Sequence, residues 1–195
     1  MLATISFLAN AQDFASQKKA FADSYGLEAS KLYERASEVL KLVYSENNYE
    51  INLRLGWLNY EAGKYTDAIS YYQKAITAKP NSIEAKLGIV YPLSVIPKWD
   101  EVLKQYLDIL KIDSNQPLIN YRTALLYYNR QNYTEAKKYL DIYLQIYPFD
   151  YDALVLAGWN SLKLNQKSEA KECFQKALLN RPEDKSATQG LEMTK

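Results

Sequence analysis

Histidine is absent from this chain. Its absence removes both the commonest general base near neutral pH and the commonest ligand for zinc, copper or iron. The chain is therefore expected to be no enzyme and to carry neither a metal nor a cofactor. Cysteine is almost absent as well. Cys173 is the single thiol, so an internal disulfide is impossible. With no histidine to activate it, a lone thiol in a helical pattern reads as a small buried apolar group rather than a nucleophile. Net charge is missing too: 24 basic and 23 acidic residues leave +1. No basic stripe interleaves with the aromatics, which excludes nucleic acid as an expected partner. No glycine-rich phosphate loop occurs. No apolar run reaches the ~18 to 20 residues of a membrane-spanning helix, so no integral membrane span is expected.

What is present is apolar and aromatic. Hydrophobic residues make up 48% of the 195, enough for a continuous core, and 18 of them are tyrosines. Residues 1–11, MLATISFLANA, form an apolar run closing on the small residues Ala9 and Ala11 before polar Gln12 and Asp13. This pattern matches the end of a secretory signal peptide with a mature start near Gln12, although no Lys or Arg precedes it. Periplasmic or secreted localisation follows if the leader operates, and a cytoplasmic one if the stretch is an ordinary helix start.

The rest is repetitive. Apolar residues fall three and four apart, as in Leu53, Leu55, Gly56, Trp57 and Tyr60, then Ala68, Ile69, Tyr72, Ala75 and Ile76. That is the helical period, interrupted by the polar turn Ala62-Gly63-Lys64. Advancing by about 34 residues recovers the same columns. Small residues recur at Ala68, Val102, Ala136 and Ala170, and rings at Tyr65, Trp99 and Tyr133. Large residues recur at Tyr72, Tyr106, Leu140 and Phe174, and prolines at Pro80, Pro148 and Pro182. Copies are expected near 17–48, 49–82, 83–116, 117–150 and 151–184, with a short closing helix at 185–195, all in a single domain from 12 to 195. In the first copy, Phe21, Tyr25, Tyr33, Ala36, Leu40 and Val43 stay in register if its closing turn is two residues shorter. Each proline removes the donor a continuing helix needs. Pro92 in the third copy deprives the Gly88 carbonyl of its usual partner and predicts a kink, either a tolerated packing variation or a local change in solenoid curvature that shapes the groove.

The segment YEINLRLGWLNYEAGKYTDAISYYQKAITAKP at 49–80 resembles the tetratricopeptide repeat. Leu55, Gly56, Gly63, Tyr65, Ala68, Tyr72, Ala75 and Pro80 stand at that family's marked positions, whereas Asn52 and Asn59 depart. The resemblance implies an all-α fold, a right-handed superhelical α-solenoid of tandem antiparallel helix hairpins. It also implies a concave groove lined by first helices, with a protein or peptide as ligand. Carried over to this chain, the groove positions are Phe21 and Tyr25; Glu50, Leu53, Trp57 and Tyr60; Glu84, Leu87 and Tyr91; Tyr121, Leu125 and Tyr128; and Asp152, Val155 and Trp159. The wall is aromatic with acidic edges, and some of these rings are expected to pack between helices instead. The family's carboxylate clamp needs Lys and Asn at groove positions where this chain has mainly rings and aliphatics. A chaperone tail is therefore disfavoured, and an extended or helical peptide with apolar and basic side chains fits better.

The leading reading is an adaptor or scaffold. A structural array that self-associates weakly through its ends is the alternative. Catalysis by Glu50, Glu84 and Asp152 is disfavoured, because carboxylates one or more repeats apart stand roughly 10 Å or more from one another.

Overall fold

The fold comes from a computed structural model. It describes the backbone of residues 2–195 and the side chains of 13–195, so the leader-like stretch at 1–11 lies outside the fully described residues. The described residues form eleven α-helices: α1 (Leu2–Ala29), α2 (Tyr33–Lys41), α3 (Tyr49–Glu61), α4 (Tyr65–Ala78), α5 (Ile83–Val95), α6 (Trp99–Ile112), α7 (Pro117–Asn129), α8 (Tyr133–Ile146), α9 (Tyr151–Lys163), α10 (Lys167–Asn180) and α11 (Lys185–Glu192). Two compact units result, residues 1–105 and 106–195. In the first, Ala20, Ala36, Leu40, Ile51, Leu55 and Leu58 form a buried core. In the second, Leu154, Ala170, Phe174, Ala177 and Ala187 form one cluster, and Ala124, Tyr139, Leu140 and Ala157 another.

Helix boundaries follow from local chemistry. Asn48, Ser82, Asp150 and Asp184 each accept a hydrogen bond from the backbone N–H three residues on, capping α3, α5, α9 and α11. At the other ends, Lys79, Tyr147 and Arg181 precede prolines and leave the helical region, with ψ of 85°, 70° and 89°. The turns inside the hairpins close with a left-handed residue: Lys31, Gly63, Gln131 and Asn165 have φ of 58°, 74°, 60° and 59°. Around each runs a pair of reversed bonds, such as Gly63 N–H to the Tyr60 carbonyl at 2.9 Å and Lys64 N–H to that of Asn59 at 2.8 Å. Pro97 occupies the equivalent position after α5 and cannot become left-handed. Only the longer bond remains there, from Lys98 N–H to the Leu93 carbonyl at 3.1 Å. Glycine carries no steric penalty in this region, so Lys31→Gly and Gln131→Gly should each stabilise by about 1 kcal/mol. Asn165→Gly should gain less, since asparagine tolerates the conformation. Thermal melts check the ranking.

Two details depart from the sequence reading. α1 begins at Leu2 rather than near Gln17, because residues 2–16 include no Pro or Gly to stop it. α2 ends at Lys41, so Val43 packs against the first core from the turn beyond the helix, where its N–H meets the Leu40 carbonyl at 3.2 Å. α5 runs from Ile83 to Val95 with Pro92 inside it.

Stacking depends on rings held between glycines. A Cβ on Gly56 would stand 2.8 Å from the Tyr72 ring, and one on Gly88 would stand 2.3 Å from it. The same sandwich recurs around Phe174, at 2.6 Å from Gly158 and 2.3 Å from Gly190. α11 thus presents a glycine to Phe174 as α5 presents one to Tyr72, and Ala187 beside it is fully buried. α11 therefore covers the apolar face of the last hairpin. Between these rings the fourth copy carries Leu140, clustered with the larger neighbours Ala124 and Leu156.

Candidate functional site

In the first unit, α1, α3 and α5 each present one stripe of side chains to a common pocket of about 780 Å³. Helical spacing builds the stripes. α1 contributes Phe21 and Tyr25, α3 contributes Glu50, Leu53, Arg54 and Trp57, and α5 contributes Glu84, Leu87 and Tyr91. Gly88 and Tyr72 form part of the floor. A pocket of this size suits a peptide segment or a small molecule. The groove positions carried over for the first three copies thus converge. Tyr60 stands just outside the lining, and its ring centroid lies 5.8 Å from Trp57 and 5.6 Å from Tyr91. Trp57 and Tyr91 meet edge to face at 6.5 Å. Tyr25 and Tyr91 remain 55% and 48% exposed, too open to be serving the core.

Beneath the rings lies a buried charge. The Arg54 guanidinium stacks on the Tyr25 ring at 3.9 Å, donates from Nε to Ser24 Oγ at 3.0 Å, and pairs through Nη2 with Glu28 Oε2 at 2.6 Å. The other oxygen of Glu28 accepts from Trp57 Nε1 at 2.6 Å. Burial alone would raise the Glu28 carboxyl, but the hydrogen bonds from Arg54 and Trp57 and the Arg54 charge hold it below its ordinary range. One carboxylate thus fixes both the cation under Tyr25 and the orientation of Trp57.

The acidic edge is less open than its sequence suggests. Glu50 pairs with Lys79 at 2.8 Å, and that hydrogen bond is the main reason its pKa is lowered. Lys79 also lies over the Tyr49 ring at 4.2 Å. The buried Tyr49 hydroxyl meets Ser82 Oγ at 2.7 Å and donates to Glu84 Oε2 at 2.9 Å. The arrangement recurs in the second unit, where Arg181 stacks on Tyr151 at 3.7 Å. There a hydrogen bond from Tyr151 lowers the pKa of Asp184.

In the second unit Tyr121 lies within electrostatic range of Asp152, and its burial together with that charge raises its hydroxyl pKa. Tyr121 is partly buried against Tyr143, with centroids 5.3 Å apart, and Tyr128 packs on Tyr133 at 5.5 Å. Trp159 lies edge-on to Phe174 at 5.3 Å and donates to Ser186 Oγ at 3.0 Å, which ties it to the last stack. Leu125 and Asp152 are exposed and Val155 half-buried. Cys173 is half-buried, and burial pushes its thiol up to about 11, far from the thiolate that nucleophilic chemistry requires.

Sequence reasoning passed over Arg54, Ser24 and Tyr49. Arg54 gave no local signal, since its partner Glu28 belongs to the preceding hairpin. Tyr49 did leave one: a tyrosine opening the copy and a cation just before the closing proline recur as Tyr49 with Lys79 and Tyr151 with Arg181.

Tetratricopeptide repeat family models match residues 27–83, 120–150 and 151–184. The chain belongs to the tetratricopeptide repeat family. Among solved tetratricopeptide repeat folds it is similar to a tetratricopeptide repeat protein from Parabacteroides merdae, at 19% identity and a TM-score of 0.74, covering 92% of this chain and 72% of that one. It is similar to MamA, at 19% identity and a TM-score of 0.71, over 84% and 90% of the two chains. It is also similar to YrrB, described as a TPR protein with an unusual peptide-binding site, at 15% identity and a TM-score of 0.73, over 95% and 97%. A human protein, the O-mannosyl-transferase TMTC1, is 27% identical over 122 residues, which span 63% of this chain and 13% of that protein. No described helix of this tetratricopeptide repeat chain is long and apolar enough to cross a membrane.

Proposed function

We propose that this tetratricopeptide repeat chain is a non-catalytic scaffold that holds a protein or peptide segment in the pocket of its first unit. The supporting observation is that rings from three successive first helices line one concavity, with Tyr25 and Tyr91 open to solvent and Phe21 and Trp57 seated on the core beneath. Large aromatic surface held at low entropic cost is what binding faces favour. Peptide display against the chain tests this. Tyr91→Ala should weaken selected peptides by about 1 to 2 kcal/mol, roughly five- to thirtyfold, with unchanged helical circular dichroism. Trp57→Ala should do the same or more, because Trp57 is also anchored to Glu28. Unchanged affinity in both variants would remove the pocket from the function.

The leader-like residues 1–11 favour a scaffold that works after export, in a periplasm or cell envelope. The mass of the mature chain decides this, and an intact Met1 ends it. Self-association through the C-terminal end is the weaker alternative, since α11 already covers Phe174 there. Sedimentation at rising concentration separates the two.

A further inference from the structure

The charges around the pocket of the first unit do not balance. Glu28 is met by Arg54 at 2.6 Å and Glu50 by Lys79 at 2.8 Å. Glu84 is exposed at the pocket rim, receives the Tyr49 hydroxyl at 2.9 Å, and has no ion-pair partner among the described residues. A carboxylate with a spare oxygen, placed beside rings and aliphatic side chains, suits a guanidinium or ammonium whose stem lies on apolar surface. The α5 stripe also sets a distance. Glu84 and Tyr91 are two turns apart on one face with Leu87 between them, which is about 10 Å along the helix. An extended chain of the polyproline type, with three residues per turn and a rise of about 3.1 Å each, covers that span in about three residues and brings the third side chain back to the same face. α3 offers the same order, Glu50, Leu53 and Trp57, but there Lys79 already occupies the carboxylate.

We propose, on the basis of the peptide-pocket reading above, that the occupant is an extended segment of polyproline type carrying a Lys or Arg about three residues from an aromatic or bulky aliphatic side chain. Glu84 takes the cation, and Trp57 with Tyr91 takes the apolar group. The helix N-terminus at Glu84 favours an anion there and so explains why an unpaired carboxylate is tolerated. It does not select a partner, and the two roles separate by experiment.

The probe is an array of capped decapeptides in a Ser/Gly background, each with one arginine and one phenylalanine at varied separation, and with citrulline and glutamate twins. Binding should peak at a separation of about three, and citrulline should weaken it about tenfold. Glu84→Gln keeps an acceptor for Tyr49 and should abolish the preference for arginine over citrulline. Glu84→Lys should turn the preference toward the glutamate twins. Persistence of the arginine preference in Glu84→Gln overturns the assignment, and the pocket reading survives if Tyr91→Ala still removes binding. Binding insensitive to Tyr91→Ala, or no binding of any peptide to the unaltered chain, overturns both.

Discussion

Gly88→Ala should lower the melting temperature of the first unit, whereas Gly26→Ala should raise it. The two substitutions share the same helix-propensity gain, about 1 kcal/mol in favour of alanine. At Gly26, in α1, an added Cβ meets nothing within 4 Å, so the gain is realised. At Gly88 the new methyl would stand 2.3 Å from Tyr72, whose ring is 2% exposed and already pressed on the other side by Gly56. The ring has nowhere to retreat. Overpacking of this kind costs about 1 to 3 kcal/mol and at such closeness should outweigh the propensity gain. A net loss of ~2 kcal/mol corresponds to a fall of roughly 4 to 8 °C for a chain of this size. Because a repeat array is held by nearest-neighbour contacts, the loss should concentrate there. Hydrogen exchange should quicken in α4 and α5 and stay unchanged in α9 to α11. The fourth copy suggests the rescue: with Leu140 in place of the ring, its neighbours are Ala124 and Leu156. Tyr72→Leu combined with Gly88→Ala should therefore be more stable than the sum of the single changes, by about 1 kcal/mol or more. Strict additivity would mean that the ring and the glycine are not a matched pair.

That pairing marks where the sequence was legible and where it was not. The hairpins could be read because their signals are local: the helical period, the prolines at Pro80, Pro148 and Pro182, and the turn glycine Gly63. Asn52 and Asn59, which depart from the family pattern, have local explanations as well. The buried Asn52 amide donates to the carbonyls of Glu46 at 2.7 Å and Asn48 at 2.8 Å, fastening the preceding loop, and Asn120 repeats this with Ser114 and Gln116. Asn59 bonds the Leu55 carbonyl one turn back at 2.7 Å. Gly88 and Gly190 went unread because the rings that require them belong to the helix before. The groove was legible where a resemblance supplied the register, which brought eight of the fifteen carried-over residues to one pocket. In the second unit Trp159 and Tyr121 find ring neighbours of their own in Phe174 and Tyr143. A column assigns a residue to a helix face, but only the side chains across the interface decide whether that face is open or filled.

Arg54 is the clearest case of such a cross-helix dependence. Glu28→Gln should cost more than Arg54→Met, although both break the same ion pair. Removing the carboxylate strands a guanidinium whose side chain is only 9% exposed, while removing the guanidinium strands a carboxylate that is 25% exposed and able to rehydrate. Breaking a buried pair costs about 3 to 5 kcal/mol, and the partial exposure of Glu28 places the first change near ~3 and the second well below it. The pH dependence has a definite sign. The Glu28 carboxyl is held below its ordinary value of 4.5 in the fold, so its contribution is complete above that value and fades as pH falls through the depressed one. Urea midpoints of the native chain and Glu28→Gln should accordingly converge under acid and separate above a pH of about 5. Arg54→Met should lose most of that acid-dependent arm. The amide oxygen introduced by Glu28→Gln would still accept the Trp57 indole proton, so the ring should keep its place wherever that variant remains folded. If Trp57 fluorescence changes while helicity does not, the Glu28 charge, and not merely its acceptor oxygen, holds the pocket open.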